Sequence, residues 1–364
     1  MFRIDATHLG RAMNCNGSRL LDRPQLSDDS DTVVRDEGNA FHWLSQEIFE
    51  GRLQAANAIG LQAYNGVFIT AAMVKHAQEY INALWAGEME VKTSWGGNDF
   101  QIDGRADHIG FNHATGELFI DDAKYGYGVV EPENNWTLIS HAIGHCRIAQ
   151  IQPSKITLTI HQPRAYHPRG TTRSWSFSCD DMVRYHNNIA YTLENPNDQL
   201  HTGSHCYKCP SIPICPAYRM ASMNAIDATS HDFNDNLSAE ELVEELELLE
   251  HASNVIVNRK KAIDELALFR VTNGEILPGR MIDRPKGQTR YKKNVTPDML
   301  SALIGRDLSE KKLPKVSALR DNGVAEMIIN AITERPDGSA RLVKVDINKL
   351  AAKKLNVGAK KHRY

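Results

Sequence analysis

No run in this sequence approaches the roughly eighteen consecutive apolar residues needed to span a bilayer as a helix, which argues against an integral helical membrane protein. Met1 to Cys15 has no apolar h-region, so no signal peptide is expected and the chain reads as cytoplasmic, with no membrane partner. There is no internal repeat and no long low-complexity tract, which removes solenoids from consideration. Positive charge is not in excess. With a formal net charge of -3, any nucleic-acid binder of this composition must rely on local basic patches. Cysteine is sparse too: six in 364 residues are too few for a disulfide scaffold and, in an intracellular chain, suggest metal or cluster ligands. What remains is an ordinary globular composition, 41% hydrophobic and 24% charged, with length for two domains or one large domain and an extension.

Periodicity gives the organisation. Helices are expected over Thr32–Glu50 and Ala71–Trp85, then strands over Glu88–Thr93, Phe100–Phe111 and Glu117–Lys124. In the last strand Leu118, Ile120, Asp122 and Lys124 share a face, and Gly126 and Gly128 break it. A helix follows over Asn135–Ile148. Ile156, Leu158 and Ile160 mark a strand ended by Pro163, and Arg173–Phe177 reads as another. Ser178 with Asp181 forms a cap for a helix over Asp180–Tyr191. This order favours an α/β architecture, a mixed sheet flanked by helices, over residues 1–224. Residues 225–237 read as a linker. Residues 238–348 read as a helical or α+β extension, opened by a Ser238/Glu241 capping box and a helix from Ala239 to Arg270 with Leu242, Leu246, Leu249, Ile256 and Ile263 on its apolar side. Gly274 and the Leu277-Pro278-Gly279 turn end that helix. Residues 349–364 form a basic tail, either a solvated end or a phosphate-attracting segment.

Cleaving a phosphodiester requires an activated water and charge neutralisation on phosphate, which Mg²⁺ or Mn²⁺ supplies from carboxylate ligands. Asp122 and Lys124, two apart on one strand, place an acid and a cation together. Asp107, within Gly104-Arg105-Ala106-Asp107, comes close to Asp122 if the two strands form a hairpin around Asn112 to Gly116. Two adjacent carboxylates are costly without a cation. Asp-x-Lys alone occurs by chance on surface strands; its position after a second acid and before Gly126 gives it weight. Gly38 and His42 share a helix face, where the glycine permits close backbone approach and the imidazole can reach a metal; alone, such a histidine is as well explained by packing.

Cys206-x2-Cys209-x5-Cys215 is a second constellation, and Cys15 is the candidate fourth ligand. Four thiolates suit a [4Fe–4S] cluster or a structural Zn²⁺, and the remote fourth ligand favours the cluster, stapling the N-terminus to the end of the domain. His205 is a substitute ligand if the occupant is zinc. Cys146 and Cys179 fit no spacing and read as buried structural thiols.

These residues resemble the RecB-like branch of the PD-(D/E)XK nucleases, the branch of the AddB iron-staple nucleases and the CRISPR-adaptation exonucleases. More closely, they resemble an uncharacterised phage- and prophage-associated family of that branch. Asn14-Cys15-Asn16-Gly17-Ser18, Glu37-Gly38-Asn39-Ala40-Phe41-His42, Gly104-Arg105-Ala106-Asp107, Ile120 to Gly128, Gln162-Pro163-Arg164 and the cysteine cluster stand in the expected order, and the likeness continues weakly to about Leu319. The resemblance implies a PD-(D/E)XK core and His42, Asp107, Asp122 and the Ala123 backbone carbonyl as ligands of Mg²⁺ or Mn²⁺. It implies Lys124 as the catalytic lysine. Glu90 reads as an accessory acid or a solvated strand-end carboxylate. Where the branch often has Gln-x3-Tyr facing DNA, this chain has Thr137 and His141, with His141 a further accessory candidate. Lys124, Arg164 and the basic tail are candidates for contacting DNA phosphates.

The expected function is a metal-dependent DNA nuclease, an exonuclease by this resemblance, acting in phage recombination or replication in the host cytoplasm beside a phage single-strand-binding or annealing protein. The alternative is an inactive DNA-binding or scaffold protein with the same fold and Fe–S cluster. An iron–sulfur redox enzyme ranks below both, since no flavin or nicotinamide motif accompanies the cysteines.

Overall fold

Alternation in the strands and 3.6-residue periodicity in the helices produce a mixed α/β arrangement, a central sheet flanked by helices. The computed structural model describes residues 2–21, 32–207, 209–228, 237–283, 289–291, 297–304, 313, 315–321, 323–336 and 341–344. The chain divides into two compact units, Met1–Arg259 and Lys260–Tyr364. In order, the first unit holds β1 (Phe2–Asp5), α1 (Leu9–Asn14), α2 (Thr32–Phe49), α3 (Ala55–Ala58), α4 (Ala71–Ala83), β2 (Gly87–Gly96), β3 (Phe100–Asn112) and β4 (Glu117–Ala123). There follow α5 (Trp136–Ala149), β5 (Lys155–His161), β6 (Thr172–Ser178), α6 (Cys179–Glu194) and α7 (Pro216–Ala228). The long α8 (Ala239–Thr272) runs across the division between the units.

β3 organises the sheet. It pairs antiparallel with β2 on one edge; on the other it pairs first parallel with β1, through Phe100–Asp103, and then antiparallel with β4, through His108–Asn112. Gly104-Arg105-Ala106-Asp107 therefore faces a notch between the ends of β1 and β4. β4 continues parallel to β5, and β5 antiparallel to β6. Four-residue β1 buries only Ile4, which is too short a pattern for alternation to reveal.

One apolar core gathers Phe100, Ile102, Leu118, Ile120, Ile139 and Ile156, with α5 pressed against β2. Gly144 permits that approach, since a Cβ there would meet Thr93 Cβ at 3.0 Å. A second core joins α2 and α4 through Phe41, Leu44, Ile69, Met73 and Tyr80. Beside it lies a buried polar group. His108 Nδ1 is 3.0 Å from one Asp121 carboxylate oxygen and His161 Nε2 is 3.4 Å from the other, with Phe49 and Tyr80 rings against the two imidazoles. His108 Nε2 is buried without a hydrogen-bond partner. Burial opposes charge on Asp121, but the two histidine hydrogen bonds outweigh it and lower its pKa. A carboxylate whose folded pKa is depressed contributes stability above its unfolded value of 3.8, and loses it as pH falls through the folded value. Asp121→Ala should thus cost about 1–3 kcal/mol at neutral pH, because it leaves buried imidazole nitrogens without their partner. Urea melts at neutral pH and near pH 3 check this: the gap from wild type should narrow in acid, and an equal gap at both would remove the carboxylate from the account.

Several expectations need adjusting. The helix over Ala71–Trp85 stops at Ala83, because Leu84 is extended. The Ser178/Asp181 capping box is present, as is that of Ser238 and Glu241. The apolar side of α8 is not a core face: Leu242, Leu246 and Leu249 are 50%, 53% and 41% exposed. Gly38 serves no close backbone approach, since nothing lies within 4 Å of a Cβ built there. Cys179 is only half-buried, at the first turn of α6, whereas Cys146 is buried as expected and its thiol is pushed up to about 12 by burial and by Cys179. Residues 225–228 of the expected linker are the last turn of α7; 229–236 and the basic tail lie outside the described residues. In the second unit, helices Pro297–Ile304, Val316–Asp321 and Glu326–Ile332 pack through Leu300, Leu319, Ile329 and Ile332, and strand Arg280–Asp283 pairs with Arg341–Lys344. Among the described residues no helix is long and apolar enough to cross a membrane.

Candidate functional site

At the notch the strands bring acids together. His108 opposes Asp121 in the β3–β4 ladder, so Asp107 and Asp122 fall at the next step, just past the end of the paired register. Asp107 Oδ2 accepts a 2.8 Å hydrogen bond from the Ala123 N–H and lies 3.6 Å from His42 Nδ1, which α2 delivers from above the sheet edge. Lys124 Nζ is 2.6 Å from Asp122 Oδ1. The other oxygen, Asp122 Oδ2, is buried and has no hydrogen-bond partner. A carboxylate oxygen is seldom left so, because the desolvation cost is uncompensated unless something cationic meets it.

Glu90 completes the group. Ligand atoms of His42, Glu90 and Asp107 all lie within 4.8 Å of one another, the one such set of three or more among the described residues. Glu90 is not a strand-end residue; it sits inside β2, between pairs Met89↔His108 and Val91↔Ala106. Its φ is 55°, left-handed for a non-glycine residue, and such a conformation costs about 1–3 kcal/mol and concentrates at functional sites. Arg105 approaches it at 3.4 Å.

The charges are strongly coupled. Burial pushes the Asp107 pKa up, as does Asp122, against the opposing pull of His42, Lys124 and the Ala123 N–H. Burial would lower Lys124, but Asp122 and Asp107 hold its pKa above the ordinary lysine value. The donor set, hard carboxylate oxygens with one imidazole, fits a divalent cation such as Mg²⁺ or Mn²⁺. Of the residues singled out from sequence, His42, Glu90 and Asp107 bring ligand atoms within 4.8 Å of one another, whereas Asp122, paired with Lys124, stands outside that set and Ala123 meets Asp107 through its N–H.

His141, on α5, is fixed by a 2.8 Å contact between Nδ1 and Thr93 Oγ1. Burial lowers its pKa to about 4, so the ring is neutral at physiological pH. It explains Gly104: a Cβ there would meet His141 Cε1 at 2.6 Å. Thr137 donates to the Ala6 carbonyl at 3.2 Å, so it ties α5 to the N-terminal segment. Arg164 is fully engaged, with Glu37 Oε2 at 2.5 Å, a hydrogen bond to the Tyr127 hydroxyl, and its guanidinium over the Tyr125 and Tyr127 rings at 4.7 and 4.2 Å.

The second constellation also assembles. Cys15, Cys206, Cys209 and Cys215 line one small cavity with His201, His205 and Tyr218. Asn16 stitches the N-terminal segment to the end of α6 through the Thr192 and Asn195 carbonyls at 2.9 and 3.0 Å, and Gly17 N–H donates to Gln199 O. Backbone N–H groups point at sulfur: His201 to Cys15 Sγ and Tyr218 to Cys215 Sγ, both at 3.4 Å. Cys215 precedes Pro216, the first residue of α7, so its sulfur stands at a helix N-terminus. That helix gave little sequence signal beyond Pro216. Burial, with the neighbouring Cys209, Cys15 and Cys215, raises the Cys206 pKa, a cost relieved if a metal takes up the charge.

Comparison with known proteins gives three findings. A family model described as "Protein of unknown function (DUF2800)" matches residues 6–348. No curated protein matches. A solved structure titled "Crystal structure of SSO0001" is similar at 17% identity, covering 59% of this chain and 86% of that one with a TM-score of 0.29, a likeness too low to carry an argument.

Proposed function

The chain belongs to the DUF2800 family, and from that premise we propose that it is a Mg²⁺- or Mn²⁺-dependent DNA nuclease of the PD-(D/E)XK type. The observation that carries the reading is the meeting of His42, Glu90 and Asp107 ligand atoms beside a buried, unpartnered Asp122 oxygen and a lysine. In this reading His42, Glu90 and Asp107 meet the ion together, and the resemblance adds Asp122 and the Ala123 carbonyl as further donors. A bound ion supplies Lewis-acid polarisation of the phosphate and a more acidic water. Lys124, anchored on Asp122, places its ammonium where charge accumulates on the phosphate oxygens or where the attacking water is oriented. His141, neutral and held by Thr93, packs over Gly104 on the α5 side.

Purified protein offered linear and circular, single- and double-stranded DNA with Mg²⁺ or Mn²⁺ tests the reading; no cleavage of any of them sinks it. Within it, His42→Ala should weaken metal binding by about 10–100-fold, with partial rescue at high Mn²⁺, because one donor of several is lost. Metal titrations followed by thermal shift check this, and an unchanged midpoint returns His42 to a packing role.

For the thiols, the reading is a structural [4Fe–4S] cluster. What supports it is that the remote Cys15 joins the three clustered cysteines around one cavity, with backbone N–H groups directed at two of the sulfurs.

A further inference from the structure

The loop that follows Lys124 is built more firmly than a loop exit from a strand requires. Gln162 Nε2 donates to Gly128 O at 2.6 Å, and Gln162 Oε1 accepts from Val130 N–H at 3.1 Å. Buried Arg173 in turn holds Gln162 Oε1 at 2.8 Å and Val130 O at 2.7 Å. Arg164 clamps the loop from the side, bonded to the Tyr127 hydroxyl and to Glu37 on α2. All of this braces one side chain, Tyr127, which is 63% exposed with the Arg164 guanidinium 4.2 Å over its ring; Cβ atoms built on the flanking Gly126 and Gly128 find no atom within 4 Å. Tyr125, by contrast, is buried and stacked on Phe41 at 4.4 Å.

Other exposed aromatics stand nearby. Asn65 Nδ2 bonds to Asp36 O at 2.7 Å and so docks the loop carrying Tyr64 (72% exposed) and Phe68 (64% exposed) at the same end of α2. Tyr127 follows Lys124 by three residues. A cation-braced, exposed tyrosine beside a phosphodiester site matches the way single strands are held: bases stack on aromatic faces while the backbone runs on.

We propose that Tyr127, braced by Arg164, is a stacking platform for an unpaired base of a single-stranded DNA end whose backbone enters the His42–Asp107–Asp122 site. The proposal deepens the nuclease reading and rests on it for the location of the scissile phosphate. It makes single-stranded ends, or frayed duplex ends, the preferred substrate class.

The test is fluorescence anisotropy of the full chain in EDTA, with a 5′-labelled oligo(dT) 12-mer and a blunt duplex of the same length. Wild type should bind the single strand more tightly. Tyr127→Ala should weaken single-strand binding about five- to a hundredfold, as loss of one base stack does, and duplex binding far less. Tyr127→Phe should stay within about twofold of wild type, since the ring remains. Equal melting midpoints for the three proteins serve as the folding control. Unchanged single-strand affinity in Tyr127→Ala overturns the platform, as does an equal loss on both DNAs. Loss of self-association with oligonucleotide affinity intact would make the rim a surface between copies and overturn it too. Cleavage by wild type in Mn²⁺ is scored separately. Tyr127-dependent binding without cleavage rejects the nuclease reading alone, and cleavage with Tyr127-independent binding rejects the platform alone.

Discussion

Asp122→Asn and Lys124→Ala should each lower DNA cleavage by at least about a hundred- to a thousandfold, the range seen when one preorganised electrostatic group is removed from a reacting centre. The two act as a unit. Asp122 offers one oxygen to Lys124 at 2.6 Å and leaves the other buried and unmet, so the asparagine loses a ligand charge and the anchor of the lysine together. Lys124→Ala leaves Asp122 and Asp107 without the ammonium beside them, which should tighten rather than weaken the demand for a metal. The pair therefore separates by readout. Asp122→Asn should lose both cleavage and metal-induced thermal stabilisation, whereas Lys124→Ala should lose cleavage and keep the stabilisation. Near wild-type cutting by either variant, with circular dichroism unchanged, would place the chemistry elsewhere. The double variant should be no worse than the worse single one, because residues acting as a unit are not additive.

Much of this site was legible because strand geometry is rigid. Period-two alternation put Asp122 and Lys124 on one face, and a short hairpin with Gly116 at φ 70° fixed which residue of β3 would meet them. Helix periodicity and capping chemistry located the helices to within two or three residues at most ends, with Ser178 and Ser238 marking two of the starts. What escaped was nonlocal or too short for a period. β1 and α1 carry few buried positions, so nothing in their pattern announces that β1 closes one side of the notch. Glu90 was ambiguous because its role depends on a left-handed φ inside a strand, a tertiary strain that single-residue preferences oppose. Gly104 was read as part of a motif, yet its need is specific: His141 from α5 occupies the space a side chain would take. Arg164 looked like a phosphate contact from sequence; the structure spends its hydrogen bonds on Glu37 and Tyr127 instead.

Cys→Ala at any of Cys15, Cys206, Cys209 or Cys215 should lower solubility and thermal stability sharply, and should lower activity only through folding. Cys15 and Cys206 are separated by roughly 190 residues, and closing a loop of that length removes about 5 kcal/mol of unfolded-chain entropy in the cross-link model. The Asn16 and Gly17 hydrogen bonds already hold the N-terminal segment against residues 192–199, so the cavity is preshaped and the centre locks a contact that the polypeptide makes. Those bonds alone are a modest tie, about 1 kcal/mol each, which is why losing the centre should be felt. Cys146→Ala should be mild by comparison, since it removes one small buried side chain, and Cys179→Ala milder still because that residue is half-exposed. Protein purified without oxygen should be brown, with iron and sulfide each near about four per chain, and should bleach and lose stability together on exposure to air. Colourless protein with one zinc per chain would keep the staple and reject the cluster. Four thiol variants no less stable than Cys146→Ala would reject the staple itself, and would leave the raised Cys206 thiol as an uncompensated cost in a cavity lined by four cysteines.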